Sequence, residues 1–248
     1  MLKNTPLGLV FAPSGLADTA GAPDIGPFRR VTGASEPQAR AVVAVESAGR
    51  GFTTTVGADG RRVRVPKVLL EAHHVYRHTG ALPVSRVAPH LSSRRWNRRL
   101  YNRVGRTPGF ERRPGEDLQH ARFRELVHVG ARLEASDPDR YAGAEAVCRE
   151  AAILSSSWGL GQVLGSHWRT LGYPSLQAFV NAQYAGEPEQ LETMARFIRA
   201  NRLDDDLRRG GASSSSWRGF ARGYNGSGYA VHNYHGKLAR AYRRAGGR

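Results

Sequence analysis

The sequence has few of the residues that staple, anchor or neutralise a chain. One cysteine, Cys148, stands among 248 residues, so no intrachain disulfide forms. It lies in an apolar helical pattern with Ala144, Val147 and Ala151 and reads as core. No His-plus-Asn motif accompanies it to make a catalytic thiol. No apolar run approaches the roughly 18 residues of a membrane helix. The N-terminus offers Lys3 and a short apolar stretch from Leu7 to Ala12, cut by Pro13, which is a poor signal peptide. Acidic residues are also scarce: 21 against 37 Lys and Arg, a net charge of +16. An excess of this size selects an anionic partner, whether nucleic acid, anionic lipid or an envelope rich in phosphate and carboxylate. No named nucleic-acid motif is present, and the Arg-rich stretch lacks the period of a recognition helix.

What is present is an ordinary globular composition, 40% hydrophobic, in a chain long enough for one sizeable domain. Residues 1–30, rich in Gly, Ala and Pro, read as a poorly structured extension; the structured part is expected from 31 to 248. Ser35 and Gln38 have the spacing of a capping box, opening a helix that runs to about Ala48, with Gly49 as its stop. From Gly51 to Val65, β-branched residues alternate on either side of Asp59-Gly60, a hairpin signal and the sole strong strand signal in the chain. Leu69 to Arg77 reads as a short helix or a strand-to-helix passage. Helical periodicity then covers about 117–133, 140–154, 175–185, 188–201, 214–222 and 233–245. Between 93 and 115 lies a basic segment in which Trp96, Tyr101 and Phe110 interleave with eight arginines. It reads equally as an anion-binding patch or as a solvated insertion.

Glu46 stands on the same helical stripe as Ala39, Val42 and Val43. A carboxyl on a buried stripe is costly to ionise, which raises its pKa toward that of a general acid at neutral pH. The competing reading is a Glu at the stripe's edge, reaching solvent or pairing with an arginine. Two later clusters, Ser155 to Gln162 and Ala221 to Tyr229, mix small residues, an aromatic and an amide. Such a mixture suits the lining of a sugar cleft: glycines for close backbone approach, aromatics for stacking, amides for hydroxyl and N-acetyl groups. Each also passes singly for an ordinary loop.

The order Val45-Glu46-Ser47-Ala48-Gly49, Ser157-Trp158-Gly159-Leu160-Gly161-Gln162, Tyr224-Asn225-Gly226 resembles the three motifs of the lysozyme superfamily, as in lytic transglycosylases and goose-type lysozymes. More closely, the chain resembles the N-acetylmuramidase family of phage endolysins. The further counterparts are Leu70-Glu71-Ala72-His73, Ser156-Ser157-Trp158-Gly159 (a helix start in that pattern), Phe197-Ile198-Arg199-Ala200-Asn201 and Phe220 to Gly226. The resemblance covers roughly 35–245. It departs in a longer hairpin, the rewritten basic segment, a shorter helix before Glu46, and the lack of an added peptidoglycan-binding module.

The resemblance implies a mainly α (α+β) fold: a lysozyme-like helical domain with one small β-hairpin beside the active-site cleft. It implies cleavage of the β-1,4 bond between N-acetylmuramic acid and N-acetylglucosamine, with Glu46 as proton donor and Glu71 as second carboxylate. Ser157, Gln162, Tyr224, Asn225 and His73 would contact or orient substrate. Trp158 is placed with them, with a core role as its competing reading. No cofactor is expected. His73, His74 and His78 beside Glu71 raise a metal site, but hydrolysis of this kind needs none, and none is expected. The expected partners are peptidoglycan glycan strands and anionic envelope polymers, with no nucleic acid and no stable membrane insertion, for a monomer. The expected place of action is the periplasm or cell wall after synthesis in a bacterial host's cytoplasm, by release or by carriage on a virion. Two rival readings stand beside this one: a lytic transglycosylase acting on the same bond, and a non-catalytic basic binder of envelope polymer or nucleic acid.

Overall fold

The computed structural model of the chain describes residues 23–46, 50–57, 59–97, 100 and 110–248. Two helices, α1 (Gly26–Thr32) and α2 (Glu36–Glu46), lead into a hairpin of β1 (Phe52–Val56) and β2 (Arg62–Pro66). Then come β3 (Val68–Leu70), α3 (Ala72–His78), α4 (Val84–Val87) and the long helices α5 (Leu118–Ser136) and α6 (Ala144–Leu154). Short strands β4 (Ser156–Trp158) and β5 (Val163–Leu164) follow. The rest is α7 (Leu176–Ala185), α8 (Glu187–Ala200), α9 (Asp204–Arg208), α10 (Arg218–Asn225) and α11 (Tyr234–Arg244). The fold is mainly α, as expected. No helix among the described residues is long and apolar enough to cross a membrane.

Local signals explain most of these elements. The Ser35 N–H donates to Gln38 Oε1 at 2.9 Å and the Gln38 N–H reaches Ser35 Oγ at 3.5 Å, the reciprocal pair of a capping box. Gln38 Nε2 donates onward to the carbonyls of Arg208 and Gly210, tying the start of α2 to the end of α9. The hairpin pairs Phe52 with Pro66 through Val56 with Arg62, and Gly60 takes φ +77° in the turn. Asp117 caps α5 by accepting from the N–H groups of Gln119 and His120, while its own N–H donates to Thr55 Oγ1 at 2.9 Å. The hairpin is thereby pinned to the head of α5.

The core sits around α8, whose Leu191, Met194, Ala195 and Ile198 are fully buried between α1 and α7. The end of α2 packs on α11, and α5 packs on α6. Cys148 is buried in α6, and burial pushes its thiol up to about 12, so it is a small core hydrophobe and no nucleophile.

Two expectations are corrected. The boundary at 30 falls too late, since Ile25 and Phe28 are buried and α1 packs against α8. A helix of two turns, opened by Pro27, is too short to show a period. Residues 1–22 of the expected extension lie outside the described residues. The hairpin is also not the only sheet: β3, β4 and β5 form a second, with Leu69 opposite Ser157 and Ser157 opposite Leu164. Ser156-Ser157-Trp158 is therefore a strand and not a helix start. Of the basic segment at 93–115, residues 98, 99 and 101–109 lie outside the described residues.

Candidate active site

The second sheet forms one wall of a cleft, and Glu46 stands at its middle. Glu46 lines two adjoining cavities, of about 410 and 270 Å³, and shares both with Gln162. The larger is bounded by the hairpin side of the cleft, including Arg50, Thr53, Lys67 and Asp117. The smaller gathers Glu71, Ser157, His167, Phe197, Tyr224 and Asn225. Residues separated by more than 170 positions in sequence thus converge on one carboxyl.

The surroundings of Glu46 determine its chemistry. It stands on α2, the helix whose Ala39, Val42 and Val43 are buried, with residues 47–49 outside the described residues. Burial raises its pKa from 4.5 to about 7. The phenol of Tyr234, at the start of α11, donates to Glu46 Oε1. This half-buried carboxyl can therefore hold a proton near neutral pH and release it to a group in the cleft.

Glu71 is held differently. It is the N-cap residue of α3, directly after β3. Its N–H donates to the Ser155 carbonyl at 2.9 Å, and Ser157 Oγ donates to Glu71 Oε1 at 2.8 Å. Preceding it, Leu70 is gripped from α5: its N–H donates to Gln119 Oε1 and its carbonyl accepts from the buried Arg122 guanidinium at 2.9 Å. The corner that carries Glu71 is thus fixed on both sides. His73 lies beside it, Nε2 3.9 Å from Oε2.

The loop from Gly159 to Gln162 forms the floor. Gln162 takes a left-handed backbone conformation at φ +48°, seldom adopted by such a side chain. Its amide donates to the Gly159 carbonyl at 2.8 Å. Beneath, the Leu160 N–H donates to Gln190 Oε1, Gln190 Nε2 to the Gln183 carbonyl and Gln183 Nε2 to Thr193 Oγ1, at 2.8 to 2.9 Å. This buried amide chain fastens the floor to α7 and α8. A side chain on Gly159 would come within 2.7 Å of Gln183 Oε1, and one on Gly161 within 2.7 Å of Met194 Cβ. These glycines let the loop lie on α7 and α8, while Gly159 lines the larger cavity and Gly161 the smaller.

The structure brings together Glu46, Glu71, Ser157, Gln162, Tyr224 and Asn225. Tyr224 stacks on Phe220, and burial and the nearby Glu46 carboxyl raise its pKa, so its phenol stays protonated and donates to the Gly161 carbonyl at 3.3 Å. Trp158 departs from its assignment as a sugar-stacking residue. It is 1% exposed, packs edge-on against Phe123 and Phe179, and its indole N–H donates to the Ile153 carbonyl. It is core beneath the floor. Sequence reasoning missed Tyr234. Tyr234, Leu238 and Ala241 recur at helical spacing and all are buried, so the stripe was readable, but not that it faced Glu46.

A helical domain with an acid-bearing cleft of this kind defines a lysozyme-like peptidoglycan hydrolase. The solved structure of the Burkholderia AP3 phage endolysin is similar, with a TM-score of 0.61 and 31% identity over 88% of this chain and 68% of that one. The N-acetylmuramidase family model matches residues 35–246, and the chain belongs to that family, a family of glycoside hydrolases. A comparison with curated proteins gives no match.

Proposed function

We propose that the chain cleaves the β-1,4 bond from N-acetylmuramic acid to N-acetylglucosamine by hydrolysis, with Glu46 as general acid. The observation that carries this reading is a half-buried carboxyl with its pKa raised to about 7, placed where two cavities meet. A glycan strand laid along the cleft puts sugars in both cavities and a glycosidic oxygen over Glu46. The acid protonates that oxygen as the bond breaks, and positive charge develops on the sugar ring. Glu71, in the smaller cavity, stabilises that charge and either attacks the anomeric carbon or draws a proton from water. Ser157 keeps one Glu71 oxygen oriented. Gln162, Asn225 and the protonated Tyr224 hold sugar and floor in register. His73 acts on substrate through its neighbour Glu71.

The enzyme works as a monomer on murein in the periplasm or cell wall. It is made in a host cytoplasm and is released to its substrate or carried there on a virion. Its charge of +16 draws it to anionic envelope polymers. Digestion of purified murein followed by mass spectrometry tests the reading. Hydrolysis leaves muramic ends that carry one water more than the anhydro ends of transglycosylation. Anhydro products alone would replace hydrolysis with transglycosylation, and an unchanged substrate would leave only the binder.

A further inference from the structure

Beside the reaction centre, α3 gathers an array of imidazoles for which the proposed cleavage has little use. Glu71, His73 and His74 each present one donor atom, and the three atoms lie within 4.8 Å of one another. The His73 and His74 rings are 4.3 Å apart between centroids, and His78 stacks on His74 at 6.4 Å.

We infer that Glu71, His73 and His74 form a binding site for a divalent first-row transition ion, Zn²⁺ foremost, and that filling it silences the enzyme by occupying Glu71. Two imidazoles and a carboxylate are the donor set such ions take, with open positions left for water. The spacing fits an ion better than a hydrogen bond. At 3.9 Å, His73 Nε2 and Glu71 Oε2 are too far apart to share a proton directly. Ligands around zinc, each about 2.1 Å from the metal, stand about 3.4 Å from one another. Small side-chain rotations close that gap. The other nitrogen of His73, Nδ1, is buried and has no hydrogen-bond partner among the described residues, so none of these commits the ring to one tautomer. Glu71 is already oriented: Ser157 occupies Oε1 and leaves Oε2 toward His73. A hydrogen bond to the ligating carboxylate from outside is what metal sites use to aim their donors.

The silencing half rests on the reading of Glu71 as the second carboxylate. A bound cation cancels the charge that would stabilise the oxocarbenium ion and removes the oxygen that would attack or accept a proton. It changes nothing at Glu46, so glycan binding survives while turnover stops.

The test uses the whole chain, stripped with chelator, and titrates ZnCl₂ calorimetrically without substrate, then measures lysis of murein with and without zinc. The expected result is one site per chain, weakened by at least about tenfold in His74→Gln and in His73→Gln. Zinc-dependent loss of lysis should be reversed by chelator and largely absent in His74→Gln, with thermal melts confirming that both variants fold. Absence of binding, or equal binding by parent and both variants, overturns the site and leaves the proposed cleavage untouched. Binding that depends on both histidines but leaves lysis at full rate upholds the site, overturns its silencing role, and counts against Glu71 in the reaction.

Discussion

Glu46 and Glu71 line the same cavity, yet one stands on a helix whose other stripe residues are buried and apolar, and the other opens a helix at the edge of a sheet. Glu46 accepts from the Tyr234 phenol, has the Tyr224 phenol nearby, and is held toward its neutral form by burial. Glu71 has a serine hydroxyl, a neighbouring histidine and a corner braced by Arg122 and Gln119. In the proposed cleavage, that difference lets one cleft run acid and base chemistry with the same side chain: environment, not residue type, assigns the role.

The sharpest way to break that contrast is Glu46→Gln. It removes the proposed proton donor and keeps the shape, so lysis should fall by about 10³-fold or more in a turbidity assay. The same variant should be the more stable protein in alkali. A folded pKa near 7 against an ordinary 4.5 means that the stability this group brings is complete below pH 4.5 and is lost as pH rises through 7. Gln does not ionise, so denaturant melts at pH 8 should show a gain of about 3 kcal/mol, shrinking to nothing near pH 4. Equal stability at both pH values would mean that the carboxyl is not desolvated.

Glu71→Gln tests the other side. It should lower turnover by about 10²-fold while glycan affinity, read from binding of the variant to insoluble murein, stays near the parent's. Tyr234→Phe should cost about tenfold or less, and its pH profile is more informative than its rate. A phenol donating to the carboxylate favours the ionised form, so its loss should move the alkaline limb of kcat/KM to higher pH. A limb moved downward would contradict the assigned contact. Ser157→Ala should have the smallest effect, a few-fold loss in kcat with KM held, because it only releases Glu71 from one orientation.

Much of this contrast was readable before any coordinates. The capping pair Ser35 and Gln38 and the alternation around Asp59-Gly60 are local signals that specify α2 and the hairpin; the stripe of Ala39, Val42, Val43 and Glu46 raised a buried acid but left an edge position open. Strand β4 was not readable, because Ser155-Ser156-Ser157-Trp158 carries no alternation and becomes a strand only by pairing with β3, more than 80 residues earlier, and with β5. For the same reason Trp158 passed for a cleft residue: its partners Phe123 and Phe179 lie on two distant helices. The contact of Tyr234 with Glu46 spans 188 positions, and a single sequence offers no register for so distant a pair. The glycines of the floor were legible as cleft lining, and they line both cavities; their packing against Gln190 and Met194 of α8 was not legible, because no local pattern marks it.

The proton on Glu46 can be followed directly by ¹³C NMR titration of protein labelled at the glutamate side-chain carboxyls, with Glu46→Gln used to assign its signal. One resonance should titrate near pH 7 and vanish in the variant. If every glutamate signal titrates below about pH 5, as unperturbed carboxyls do, Glu46 is not held protonated and the assignment of the acid fails.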